Sequence, residues 1–222
     1  MKAAILVFPG SNCDRDLKVA FEQAGFETSM VWHKETELPS GVDLVGVPGG
    51  FSYGDYLRCG AIAAQSPIAA ALKTHAERGG FVFGVCNGFQ ILTETRLLPG
   101  ALLQNASTKY ICKVAPLRVE TTDSAFTSGY ESGQLIDVPI AHHEGNYQAD
   151  TQTLAQLNGE DRVAFRYTDN PNGAVEDIAG ILSQNRRVLG MMPHPERRSE
   201  AAHGGTDGSA LFASLAGSLV EA

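Results

Sequence analysis

The sequence predicts an α/β fold with a mostly parallel central sheet, helices on both faces and a small antiparallel extension. Three observations carry this. Apolar runs alternate with helical stripes through the first half of the chain, the mark of a parallel sheet. Glycine-rich turns follow the ends of those runs, and the run Phe81-Val82-Phe83 is short and bulky, as a strand buried on both faces requires. At 222 residues, with 43% hydrophobic and 19% charged side chains, the chain suffices for one well-buried domain over 1–222 and is short for two.

Taken in order, Met1 to Phe8 is an apolar run that Pro9-Gly10 ends too soon for a membrane span or a signal core, so it reads as the first strand. Leu17, Ala20, Phe21 and Ala24 then recur at helical spacing, with Asn12 or Asp14 near the N-cap and Gly25 just past the end. Thr28 to Val31 and Leu44 to Val47 are the second and third strands, the latter ending in Pro48-Gly49-Gly50. An alanine-rich helix is expected from about Ala61 to Arg78, followed by the strand at Phe81. From Tyr110 to Ile140 the pattern changes to short strands with turn residues between them, which gives the antiparallel extension. Arg187 to Gly190 is another strand, and Leu211, Phe212, Leu215 and Leu219 form one stripe on a C-terminal helix. There is no internal repeat, low-complexity tract or linker.

The formal charge of −8 and the lack of a basic cluster exclude a nucleic-acid surface. Four cysteines, at 13, 59, 86 and 112, show no paired metal spacing and no secretory context. They point to a reducing cytoplasm, with no disulfide. No phosphate-cradling Gly-x-x-x-x-Gly-Lys-Ser/Thr occurs, so nucleotide chemistry is not expected in this chain.

Chemistry concentrates in two segments. Gly84-Val85-Cys86-Asn87-Gly88-Phe89-Gln90 puts a cysteine at a sharp strand-to-helix turn, with Gly84 and Gly88 supplying the missing bulk. A thiol there faces a helix N-terminus, whose free N–H groups favour the attacking thiolate. Alone, the pattern fits an inert core cysteine equally well. The second segment, Met192-Pro193-His194-Pro195-Glu196, follows the strand at Val188. Met192 and His194 both precede proline and are pushed out of helical geometry, so His194 and Glu196, two apart on an extended segment, would share a side. The carboxylate could then orient the imidazole while the other ring nitrogen addresses a thiol. Alone, this is a proline-stiffened loop whose His and Glu meet water.

Together the two segments resemble the triad (class I) glutamine amidotransferases, in which cysteine, histidine and glutamate occur in this order. Three further segments narrow the resemblance to members that act as glutaminase subunits of a larger synthase. They are Pro9 to Asp14, Pro48 to Ala61 and Ala141-His142-His143-Glu144-Gly145-Asn146-Tyr147. The resemblance implies the flavodoxin-like fold of that family, with Cys86 as nucleophile, His194 as acid and base, and Glu196 as its partner. It also implies an oxyanion hole from the N–H groups of Gly50 and Asn87, and contacts to the substrate glutamine from Gln90, Gly145 and Asn146. No cofactor is implied for this chain; ATP and Mg would be used by a large synthetase subunit, with a small accessory subunit as a further partner.

One departure is His143, where relatives are expected to carry glycine; a bulky residue there would alter the glutamine-side loop. Adjacent His142 and His143 point to opposite sides of an extended segment and chelate one ion poorly, so no metal is expected. His33, His75 and His203 read as solvated or capping residues, and Arg58, Arg197 and Arg198 as candidates to face a partner. Two other classes stay open: a stand-alone cysteine hydrolase on the same fold, and a binding module that has lost its chemistry, against which the retained Cys, His and Glu speak.

Overall fold

The computed structural model describes residues 1–56 and 58–220. Its strands are β1 Lys2–Val7, β2 Glu27–Trp32, β3 Leu44–Val47, β4 Phe81–Val85, β5 Ala101–Leu103, β6 Ile111–Val119, β7 Leu135–His142, β8 Asn146–Gln148, β9 Val163–Tyr167, β10 Ile178–Leu182 and β11 Val188–Met191. The helices are α1 Asp14–Gln23, α2 Cys59–Ala63, α3 Ile68–Glu77, α4 Asn87–Glu94, α5 Thr151–Gly159 and α6 Ser209–Val220. One sheet runs in the order β2-β1-β3-β4-β11-β10-β9-β6-β7, and β5 pairs with β8 apart from it. The five strands from β2 to β11 are mutually parallel; β10, β9, β6 and β7 extend the sheet antiparallel.

Register explains how the layers form. Gly46 pairs with Phe83, and a Cβ on Gly46 would meet Phe21 and Leu17 of α1. Phe83 itself packs edge-on against Phe212 of α6, with ring centroids 5.9 Å apart, so this face carries α1 and α6. Val47 pairs with Gly84, and Gly84 with Gly190; these neighbours point to the other face, where a Cβ on Gly84 or Gly190 would run into Leu92 or Phe89 of α4. Small residues in the central strands thus set how closely each helix approaches the sheet.

Several sequence expectations change in the structure. The alanine-rich helix is two helices, α2 and α3, because Pro67 cannot donate to the hydrogen-bond ladder and instead stands at the N-cap of α3. Cys13 itself occupies the N-cap of α1, flanked by the Asn12 and Asp14 expected near it, and Asp14 and Asp16 lie in the first turn, where carboxylates complement the helix dipole. The Tyr110 to Ile140 region is two long paired strands, β6 and β7, rather than several short ones. No element was assigned by pattern between 149 and 186, where α5, β9 and β10 lie. His33 is buried, with Nδ1 3.1 Å from the Tyr53 hydroxyl, so it is not a solvated residue; His75 is half-buried in the last turn of α3, with Nε2 donating to Phe81 O at 3.1 Å.

The strand order reverses between β1 and β3, and in such sheets the crevice beyond the strand ends at that point receives ligands. The loops after these two strands are bound together there: Asn12 N–H donates to Gly50 O at 2.9 Å and Cys13 N–H to Gly49 O at 3.3 Å.

Phe212 joins the α1–α6 face by touching both Phe21 and Phe83. Phe212→Ala is expected to cost about 3–5 kcal/mol in denaturant unfolding of the chain. Val220→Ala, exposed near the end of the same helix, should shift stability by less than about 0.5 kcal/mol.

Candidate active site

Cys86 occupies the turn from β4 into α4 with φ 53° and ψ −109°, a conformation that costs a non-glycine residue of order 1–3 kcal/mol and persists only where its surroundings enforce it. Those surroundings are identifiable. Cys86 N–H donates to Met191 O at 2.9 Å, which fixes the entry to the turn against β11. On the exit side, any Cβ at Gly88 would collide with the carbonyl oxygen of Val47, so the first turn of α4 lies directly on the end of β3. Cys86 is buried, and its thiol can donate to Ala141 O at 3.8 Å.

His194 and Glu196 arrive from beyond β11. Met192 N–H donates to Ala179 O at 3.0 Å and His194 N–H to Pro139 O at 2.8 Å, so β10 and β7 hold the segment from both sides. The segment is not extended throughout. His194 has φ −104° and ψ 82°, and Pro195 then opens a short 3-10 turn, Pro195–Arg198, because its fixed φ suits a first helical position. That turn, rather than strand alternation, brings the Glu196 carboxylate back to the imidazole: His194 Nδ1–H donates to Glu196 Oε1 at 2.6 Å. Both residues are almost wholly buried. Burial alone would lower the pKa of His194, but the Glu196 carboxylate outweighs it, helped by the Cys13 and Cys86 thiols, and the imidazolium is favoured well above its usual range.

Gly50 takes φ 89°, and a Cβ there would strike Asn12 and Cys13, so only glycine fits where the loop after β3 passes the elbow. A small cavity of about 70 Å³ is lined by Gly50, Phe51, Asp55, Cys86, Asn87, Tyr110 and His194 among others. The structure thus brings Cys86, His194, Glu196, Gly50 and Asn87 together.

The glutamine-side residues are placed differently. Gln90 Nε2 donates to Glu144 O at 2.8 Å, while its Oε1 lies 2.8 Å from Asn87 Nδ2 and 3.0 Å from the Cys59 thiol. Asn87 Nδ2 also reaches Asp55 Oδ1 at 2.8 Å, and its Oδ1 accepts from Ser52 N–H at 3.2 Å. One amide therefore ties the elbow to the loop after β3. Gln90 borders a second cavity of about 380 Å³ with Arg58, Glu94, Gln104 and Glu144. Gly145 and Asn146 line neither cavity. The Gly145 N–H donates to Asn105 Oδ1 at 3.0 Å, and the Asn146 side chain bonds to Gln104 O and Gln148. His143 packs edge-on against Tyr110, whose ring stacks on Phe51, so its bulk joins an aromatic rim.

Sequence reasoning missed Cys13, Asp55, Cys59, Asn105 and the state of His142. Cys59 is inert: burial, then the charges of Asp55 and Glu144, push its thiol up to about 12. Asn105 Nδ2 donates to Lys109 O and His142 O, which leaves Oδ1 as acceptor for Gly145 N–H and for His142 Nδ1–H. His142 Nε2 is then a bare acceptor in the interior, without a partner among the described residues. Arg58, Arg197 and Arg198 each meet a carboxylate of this chain, Glu94, Asp16 and Asp207 respectively.

A strained cysteine facing a carboxylate-held imidazole and a glycine loop can perform acyl transfer through a covalent intermediate. Fold and site are those of a glutamine amidotransferase, and the chain belongs to that family: the model of the CobB/CobQ-like glutamine amidotransferase domain matches residues 1–204. Within the family its full-length likeness is to PurQ subunits of phosphoribosylformylglycinamidine synthase. That of Ruegeria pomeroyi is 71% identical over 222 residues, all of both chains, and that of Novosphingobium aromaticivorans 57% over 221 residues, 99% and 98% of the two. A chain in the structure of PurLQS from Thermotoga maritima aligns with a TM-score of 0.90 and 46% identity over 98% of each chain. The glutaminase domain of Trypanosoma brucei CTPS, 15% identical with a TM-score of 0.63 over 98% of this chain and 94% of that one, shares the fold.

Burial, followed by the nearby charge of His194, lowers the pKa of His142 to about 4 from 6.5. The unfolded chain therefore binds the proton first as pH falls, and stability is lost from pH 6.5 down to about 4. The stability advantage of wild type over His142→Asn should shrink by up to about 3 kcal/mol across that window, read by denaturant unfolding at each pH. Parallel curves would show that His142 is not buried neutral.

Proposed function

We propose that this chain is the glutaminase subunit of a phosphoribosylformylglycinamidine synthase, working in the cytoplasm in purine biosynthesis. It hydrolyses glutamine to glutamate and passes the ammonia to a synthetase subunit. The observation that carries the chemistry is the buried His194–Glu196 pair at 2.6 Å beside a cysteine held in an elbow. The full-length identity to PurQ supports the particular synthase.

His194, made basic by Glu196, accepts the thiol proton, and the Cys86 thiolate attacks the side-chain amide carbon of glutamine. The carbonyl oxygen becomes an oxyanion against the N–H groups of Gly50 and Asn87, a kind of contact typically worth about 3 kcal/mol per donor. His194 returns the proton to the amide nitrogen, ammonia leaves, and a glutamyl thioester remains on Cys86. Water deprotonated by His194 then releases glutamate. The network of Asn87, Gln90 and Asp55 holds the elbow and its facing loop at one spacing, and Gln90 stands one helical turn from Cys86 to meet the amino-acid end of the substrate. Gly145 and Asn146 act through the loop they brace, by way of Asn105 and Gln104. This chain needs no cofactor; ATP with Mg is used by the large synthetase subunit to activate the amide of formylglycinamide ribonucleotide, and a small accessory subunit completes the assembly, as the PurLQS assembly of Thermotoga maritima suggests.

The deciding assay is glutamate release by the chain mixed with its synthetase, ATP and formylglycinamide ribonucleotide. Cys86→Ala should abolish glutamine-dependent product formation and leave ammonia-dependent formation intact. Glu196→Gln should lower kcat by about 10²–10⁴, because His194 loses the charge that holds its proton. Full glutamine turnover by the chain without a synthetase would instead identify a stand-alone hydrolase.

A further inference from the structure

The segment Pro9 to Asp14, set apart in the sequence, supplies none of the reacting groups of the proposed reaction. It forms the turn after β1, where Ser11 N–H donates to Phe8 O at 3.0 Å and Asn12 and Cys13 lead into α1. Gly10 takes φ 81°, and a Cβ there would strike the carbonyl oxygen of Phe51, so this turn lies directly against the loop after β3. The contact continues at Tyr53, whose N–H donates to Pro9 O at 2.6 Å.

What the turn holds is the peptide between Gly49 and Gly50. Its carbonyl oxygen, Gly49 O, accepts from Ser11 Oγ–H at 3.2 Å and from Cys13 N–H at 3.3 Å. This peptide is trans and planar, so its C=O and its N–H point in opposite directions. β3 lies between β1 and β4 in the sheet. With Gly49 O turned to the loop after β1, the N–H of Gly50 is turned to the β4 side, where Cys86 stands. A Cβ at Gly49 would meet Cys86 Cβ at 2.8 Å and His194 Cε1 at 2.9 Å, so the chain here passes directly against the nucleophile and its base.

The covalent chain alone does not impose that orientation. A peptide with glycine on both sides can rotate as a unit, since neither neighbour has a Cβ to bar the alternative. Turned by half a revolution, it would aim the Gly49 carbonyl at Cys86 and carry the Gly50 N–H away. The hydrogen bonds to Gly49 O select between the two. Both are long, as befits two donors sharing one oxygen, so neither holds the peptide by itself. Cys13 N–H belongs to the N-cap of α1, which leaves Ser11 Oγ as the side-chain donor of the pair.

We propose that Ser11 is a positioning residue for the glutaminase reaction: its hydroxyl holds the Gly49 carbonyl so that the Gly50 N–H faces the oxyanion formed at Cys86. Ser11 acts through this peptide rather than on the reacting atoms. The inference rests on the glutaminase reading and adds to it the group that aims the oxyanion donor.

Ser11→Ala removes the hydroxyl and leaves the backbone donors in place. In the assembled synthase with ATP and formylglycinamide ribonucleotide, its kcat for glutamine should fall about three- to tenfold, the effect of losing one neutral hydrogen bond. KM for glutamine and the ammonia-dependent rate should stay at their wild-type values. Alkylation of Cys86 by iodoacetamide separates aiming from mere packing, because displacement of iodide at a saturated carbon forms no oxyanion. Followed by mass at Cys86, since Cys112 is also exposed, it should run at the wild-type rate in Ser11→Ala. An unchanged kcat for glutamine in Ser11→Ala would overturn the inference and leave the glutaminase reading intact. Equal losses in glutamine turnover and in alkylation would also overturn it, because Ser11 would then shape the elbow rather than the peptide. A wild-type synthase that uses ammonia and never glutamine would remove the glutaminase reading and this inference with it.

Discussion

The backbone of α4 rests on the backbone of β3, and the remainder of the site follows from that contact. Gly88 permits it, since any side chain there would meet the Val47 carbonyl. With the helix so close to the sheet, the residue between β4 and α4 has no relaxed path, and Cys86 takes a strained conformation of positive φ at the strand end. The same proximity sets Asn87 beside the loop after β3, where its side chain accepts from Ser52 N–H and donates to Asp55. The position of α4, the placement of the Cys86 thiol and that of the loop after β3 are therefore one geometric decision.

Environment then assigns charge. Three titratable groups lie near one another here, and each is driven differently. Glu196 raises the proton affinity of His194 despite full burial, whereas burial, with no carboxylate to oppose it, keeps His142 at the end of β7 neutral. Cys59, near two carboxylates, stays a thiol. A buried ion pair of the His194–Glu196 kind contributes little to stability, because desolvation offsets the attraction, yet losing one partner leaves an uncompensated charge. Its place here is explained by the chemistry rather than by folding.

The elbow and the His-Pro-Glu segment were legible in the sequence because glycines and prolines restrict the backbone locally, and a restricted backbone is written in a few adjacent letters. The parallel half of the sheet was legible for a similar reason, each strand being a short apolar run closed by turn residues. What was not legible depends on residues far apart in the chain. The split of the alanine-rich helix was signalled by Pro67 but masked by the helical stripe around it. Between β9 and β10 the run Asp169-Asn170-Pro171-Asn172-Gly173 does signal a turn, but β9 also pairs with β6 and β10 with β11, and no local pattern encodes those partners. The positions of Cys13 and Asn105 follow from pairing across the crevice and across β7, which no local pattern encodes. Even the turn at Pro195 reached the expected His–Glu contact by a 3-10 geometry where alternation was expected.

The sheet order has a consequence for how the molecule is made. β11 lies between β4 and β10, at the centre of the sheet, although β5 to β10 intervene between it and β4 in the chain. Until it inserts, β4 has an open edge, Cys86 lacks the Met191 carbonyl that anchors its turn, and His194 beyond β11 is not in place. A chain in which β11 has not yet inserted thus carries the Cys86 thiol without the groups that surround it. Closure of the central sheet and assembly of the surroundings of Cys86 are therefore a single event in folding.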